Sequence, residues 1–158
     1  MLNALRQFFD QRIAGDPLQT AEQAEIRARV AAAALLVEVV RGDDRFTPEE
    51  REAVLGSVRR KFGLAPAEAE ALLGLAEAEA RDAHDYYQFT SRINASFGAD
   101  RKVRLIEELW RVALADDLLH RHEEHLIRRV ADLLHVPHRA YIHAKLRAQG
   151  QQLAVRSE

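Results

Sequence analysis

The chain has 158 residues, 47% hydrophobic and 30% charged, with a formal net charge of −2. That is long enough for one domain with a sizeable core, and the charge gives no global pull toward nucleic acid or an anionic membrane. Cysteine is absent, which excludes disulfides, thiolate metal sites and cysteine nucleophiles.

Seven glycines and four prolines among long Ala, Leu, Glu and Arg stretches predict an all-α fold, a single domain of about seven or eight helices. Leu2, Leu5, Phe8, Phe9 and Ile13 recur at helical steps and predict a first amphipathic helix to about Ala14, broken by Gly15-Asp16-Pro17. We read residues 1–19 as this helix and a linker. With Arg6 and Arg12 its only basic residues, packing on the body is favoured over a membrane-surface role. It lacks the layout of a signal peptide.

Thr20 and Gln23 have capping-box spacing and start a second helix. That helix carries the run Val30–Val40, apolar nearly all round and so central, but interrupted by Glu38 and too short to span a bilayer. The expected location is the cytoplasm. Gly42-Asp43-Asp44 ends the helix. Thr47-Pro48-Glu49-Glu50 then reads as N-cap, N1 proline and N3 glutamate of a third helix, which Gly63 closes. Pro66 opens a fourth helix to about Ala83, with an outer acidic face of Glu68, Glu70, Glu77 and Glu79 that should be exposed and repel nucleic acid.

A fifth helix covers Tyr86, Tyr87, Phe89 and Ile93. These aromatics, with Trp110, are expected in the core. Asp100 is the expected cap of a sixth helix, a seventh starts near Arg121, and a short eighth follows Pro137 through Tyr141 and Leu146. The helical domain spans 20–149, and 150–158 forms a polar, flexible tail. The short basic pieces Arg59-Arg60-Lys61 and Arg128-Arg129 read as solvated helix faces.

The order helix, Asp-Asp turn, helix, Gly-Leu or His-Val break, proline, helix occurs from Arg29 to Leu73 and again from Lys102 to Leu146. Setting Asp43 on Asp116 places Asp44 on Asp117, Glu50 on Glu123 and Val54 on Ile127, with a slip of about one residue near the far end. This is an internal duplication with an expected pseudo-twofold relation. The same alignment sets Glu38 on Arg111, both inside apolar segments. A lone charge there is expensive to bury, so a Glu38–Arg111 ion pair between the halves is expected.

Each turn offers carboxylates seven residues apart, Asp43 with Glu50 and Asp116 with Glu123, beside Asp44 and Asp117. Oxygen ligands of this kind suit a hard divalent cation, calcium or magnesium, with zinc less favoured. In the first turn a second explanation stands, because Glu50 also sits where a capping-box glutamate belongs. In the second turn no Ser or Thr lies three residues before Glu123, so capping explains it less well. His120, His122 and His125 invite a zinc reading. However, His122-Glu123-Glu124-His125 is one residue short of HExxH, and no other nucleophile constellation or phosphate loop occurs.

The stretches LWRVALADDLLHRHEEHLIRRVADLLHVPHRAYIHAKLRA and ALLVEVVRGDDRFTPEEREAV resemble the second and first halves of TerB-like proteins associated with tellurite resistance. The resemblance covers about Ala31–Arg147. It implies a duplicated all-α domain, a role in stress or tellurium-oxyanion resistance, and metal binding. A related domain precedes the J-domain of a membrane-anchored DnaJ-like co-chaperone. The family's Ala-Asp-Gly turn matches Ala115-Asp116, but Asp117 stands in the glycine position, where a left-handed backbone is costlier.

The expected function is therefore a non-enzymatic cation-binding domain of a stress response, with other proteins as partners and no nucleic acid. The alternatives are an interaction scaffold whose acids only cap helices and, less favoured, a metallohydrolase. Oligomeric state is not legible.

Overall fold

In the computed structural model, the described residues are 20–41, 46–83, 85–115 and 121–157, without the side chains of 121–122 and 151–157. The expected first helix, within 1–19, lies outside them. The described residues form seven helices and no strand: α1 (Ala21–Arg41), α2 (Pro48–Phe62), α3 (Pro66–Asp82), α4 (Tyr87–Ser96), α5 (Ala99–Leu114), α6 (Arg121–Leu133) and α7 (His138–Ser157).

Local chemistry sets most of the boundaries. Thr20 and Gln23 close a capping box at the start of α1, with Gln23 N donating to Thr20 Oγ1 at 3.1 Å and Thr20 N to Gln23 Oε1 at 2.9 Å. The same reciprocal pair joins Thr47 and Glu50 ahead of α2, with Pro48 in its first turn. α3 starts at Pro66, and Glu68 Oε1 reaches back to accept from Ala65 N at 3.1 Å. Asp85 Oδ1 accepts from Tyr87 N at the start of α4. α5 differs from expectation: its N-cap is Gly98, with no side-chain cap bond, and Asp100 lies inside the first turn, where its charge suits the helix dipole.

α1 is the hub. Ala31, Ala32, Ala33, Ala34, Leu35 and Leu36 are all fully buried, because α2, α3, α4, α5 and α6 all pack on this helix. The alanine run lets neighbouring backbones come close, and each buried leucine contributes about 1.5–3 kcal/mol.

The duplication is visible in the packing. α1 packs on α3, and α5 packs on α7. α1 and α5 pack on each other, and each also meets the second helix of the other unit, α5 with α2 and α1 with α6. This reciprocal scheme is what a pseudo-twofold relation requires. The two helix breaks also match. Gly63 and His135 both adopt left-handed backbone, φ 62° and 61°. Leu64 N donates to Arg59 O at 3.2 Å, and Val136 N to Ala131 O at 2.9 Å, the long return bond of a Schellman end. The register slips by one residue before the breaks, since Gly63 to His135 is one residue shorter than Asp43 to Asp116, and the prolines slip by one more: Pro66 is the first residue of α3, whereas Pro137 stands one before α7.

α4 stands outside the repeat. It packs on α1 through buried Phe89 and Ile93, and Asn94 Nδ2 donates to Leu133 O at the end of α6.

Other expectations are corrected too. α7 is not short: it continues through Gly150 to Ser157, since one interior glycine costs only about 1 kcal/mol and good helix formers follow it. Tyr87 is 67% exposed rather than core, while Phe89 and Trp110 are fully buried as expected. On the acidic face of α3, Glu70 is exposed as expected, but Glu77 is partly buried and Glu79 buried, and these acids are engaged by arginines. Arg51 of α2 binds Glu70 at 2.6 Å and Glu77 at 2.9 Å, and Glu79 is buried, 3.6 Å from Arg92.

Candidate cation site between the two units

Of the six predicted metal-site residues, Glu50 and Glu123 are described; Asp43, Asp44, Asp116 and Asp117 lie outside the described residues, as does His120. Glu50 sits in the first turn of α2 because the Thr47 cap and Pro48 at the first helical position fix where that helix starts. Its Oε1 accepts from Thr47 N at 3.0 Å. The capping explanation for Glu50 is thus correct, and it leaves the second carboxylate oxygen with acceptor capacity of its own.

Glu123 occupies the matching position in the first turn of α6 and is only 6% exposed. Burial of a carboxylate is expensive unless its charge is matched.

The sequence placed one acidic site in each turn. The structure instead brings both glutamates to a single small cavity of about 140 Å³. Its floor is apolar, from Val40 of α1 and Val112 and Ala113 of α5, and its acids are Glu49 and Glu50 of α2 and Glu123 of α6. Val40 and Ala113 are repeat equivalents, as are Glu50 and Glu123, so the cavity is shared by the two units. The N-terminal ends of α2 and α6 both reach it, and their partial positive charge favours carboxylates there. Glu49 was missed as a site residue, although its place beside Glu50 in the first turn could have flagged it.

Among the described residues no three His, Asp or Glu side chains gather closely enough to hold a metal by themselves. Of the expected histidine group, the side chain of His122 lies outside the described residues, and His125 is exposed. Glu124 lies near Lys145 at 3.4 Å.

Among the described residues, Glu38 and Arg111 are seen to pair within their own helices rather than with each other as expected. Arg41 Nη2 donates to Glu38 Oε1 at 2.6 Å, and Arg111 Nη1 to Glu108 Oε1 at 3.1 Å. A residue three positions along the same helix reaches the charge more easily than one across an interface. Glu38 and Arg41 instead line a larger cavity of about 430 Å³ with Tyr86, Tyr87 and Arg129. Burial, then the nearby Glu38 carboxylate, pushes the Tyr86 hydroxyl above its ordinary value. No described helix is long and apolar enough to cross a membrane.

A family model described as "Tellurite resistance protein TerB" matches residues 29–146. No curated protein and no solved structure matches the chain. The matched span runs from α1 into α7 and so contains both units and the shared cavity. The chain therefore belongs to the TerB family of tellurite resistance proteins.

Proposed function

We propose that the chain is a non-enzymatic, cytoplasmic domain that binds one divalent cation, calcium or magnesium, where its two units meet, and contacts partner proteins in a tellurite-resistance-type stress response. The observation that carries this reading is the buried Glu123 in one cavity with Glu49 and Glu50 of the other unit. Hard cations take six to eight oxygen ligands, so two or three glutamates are not a complete set. Ala115 lines the cavity and Asp116 follows it in the chain; Asp43 and Asp44 follow α1 in the equivalent place. These aspartates are the proposed remaining ligands.

Thermal unfolding with calcium, magnesium or manganese tests the proposal. At a hundredfold excess over Kd, a bound cation adds about 2.7 kcal/mol of stability. Asp116→Ala should remove that rise while leaving the metal-free transition in place. A melting temperature unchanged by all three ions would overturn it.

One observation favours the second reading, an interaction scaffold. Tyr87 is 67% exposed beside the larger cavity, and exposed aromatics of this kind are enriched at protein interfaces. On that reading the glutamates only serve helix ends.

A further inference from the structure

The other end of α2 and α5 carries the opposite charge. The two helices run antiparallel, since Ser57 of α2 donates to Glu108 of α5 and, further along, Lys61 Nζ donates to Arg101 O at 3.3 Å. Between them lies a cavity of about 300 Å³, remote along α2 from the acidic one. Arg60, Lys61, Arg101, Arg104 and Arg111 face it, against the carboxylates Glu107 and Glu108. Five cations against two acids is a local excess of positive charge in a chain whose net charge is −2.

Both acids are already engaged. Glu108 takes the Ser57 hydroxyl, Arg111 at 3.1 Å and Arg60 at 3.5 Å, and Glu107 takes Arg147 at 3.3 Å. Arg101 is held bidentately by Glu25, both bonds 2.7 Å, and stacks 3.8 Å from the Phe97 ring centre. Lys61 and Arg104 make no ion pair among the described residues. Lys61 Nζ instead sits 5.5 Å from the centres of both the Phe62 and Phe97 rings. Burial, then repulsion from Arg101 and Arg104, pushes its ammonium down to about 8, although Glu108 and Glu25 act the other way. Burial by itself would disfavour any charge here, but the repulsion from Arg101 and Arg104 reflects a local excess of positive charge, and that excess favours an anion.

We propose that this cavity is an oxyanion site, taking a small, multiply charged anion of the phosphate class on Arg104 and Lys61, with Arg60 and Arg111 at its rim. Guanidinium groups present paired donors that fit such oxygens, and Arg104 is exposed and able to turn toward one. The volume lies at the low end of ligand cavities, which suits a phosphate-sized group and not a nucleic-acid helix.

The test is an NMR titration of the isotope-labelled full chain with sodium sulfate at constant ionic strength, followed by inorganic phosphate and a short DNA duplex. Sulfate keeps its charge while Lys61 titrates. Saturable shifts at Arg60, Lys61, Arg104 and Arg111 are expected, with binding weakened at least about tenfold by Arg104→Glu. Sulfate affinity should fall several-fold from about pH 7 to about pH 9.5, and Lys61→Met should flatten that dependence. The groups facing Lys61 are Arg101, Arg104 and Glu108 from α5 and Glu25 from α1. Linear, unsaturable shifts, or an Arg104→Glu variant that binds sulfate as the wild type does, would overturn the proposal. So would a duplex that binds more tightly than phosphate and shifts a wider surface.

Discussion

The two units use the same position differently. In the first, Glu50 closes a capping box with Thr47 and is half-buried at a helix start. In the second, Glu123 stands at the equivalent position, more deeply buried, with no Ser or Thr three residues before it. The breaks show the same contrast. Gly63 adopts left-handed backbone at no steric cost, whereas His135 holds nearly the same φ against its own Cβ. A duplicated fold thus keeps its packing scheme while individual positions drift from local structure toward other roles. The first unit carries a capping box at this position, and the second carries the more deeply buried acid.

Packing equivalence is the part of this comparison with the largest expected effect. Val54 and Ile127 are repeat equivalents and both fully buried. Ile127→Ala should cost about 2–5 kcal/mol in chemical denaturation, and Val54→Ala less, in proportion to the methyl groups removed. A cost well under ~1 kcal/mol at Ile127 would mean the second unit does not share the core.

The caps come next. Thr47→Ala should cost about 1 kcal/mol, since it removes the acceptor for Glu50 N. At the breaks the signs should oppose. His135→Gly is expected to gain, and Gly63→Ala to lose, up to about 1 kcal/mol each. Nothing lies within 4 Å of an added Cβ at Gly63, so the loss there reports backbone conformation alone. Two losses would show that His135 makes contacts worth more than its strain.

The smallest effect concerns Lys61. Its folded-state value, about 8, lies below the ordinary lysine value of 10.5, so between these pH values the unfolded chain binds more protons. Stability should therefore rise with pH from about 8 to about 10.5, by on the order of 1 kcal/mol after allowance for solvent screening. Melting curves of the wild type minus those of Lys61→Met isolate the contribution. A difference that stays flat or falls across that window contradicts the burial of this charge.

Much of the fold was legible because its signals are local. Thr20, Thr47-Pro48, Gly63 and Pro66 each act within four residues of themselves, and the repeat then located the break at His135, which has no signal of its own. The helix through Gly150 was missed because an interior glycine weakens a helix without ending it. Charge pairing was mostly not legible. Arg51 chooses Glu70 and Glu77 across an interface, and Glu38 chooses Arg41 within its own helix, by geometry that spacing does not reveal. The acids of the candidate site were visible as residues, but not their convergence. That Glu50 and Glu123 line one cavity, rather than one each, depends on how α2 and α6 approach the ends of α1 and α5.

That convergence sets the stoichiometry. Isothermal calorimetry of calcium and magnesium into the wild type, Glu123→Gln and Glu50→Gln tests it directly. A shared site requires one cation per chain in the wild type, abolished by Glu123→Gln and weakened by Glu50→Gln. Two equivalent sites per chain, or one that survives Glu123→Gln, would contradict it.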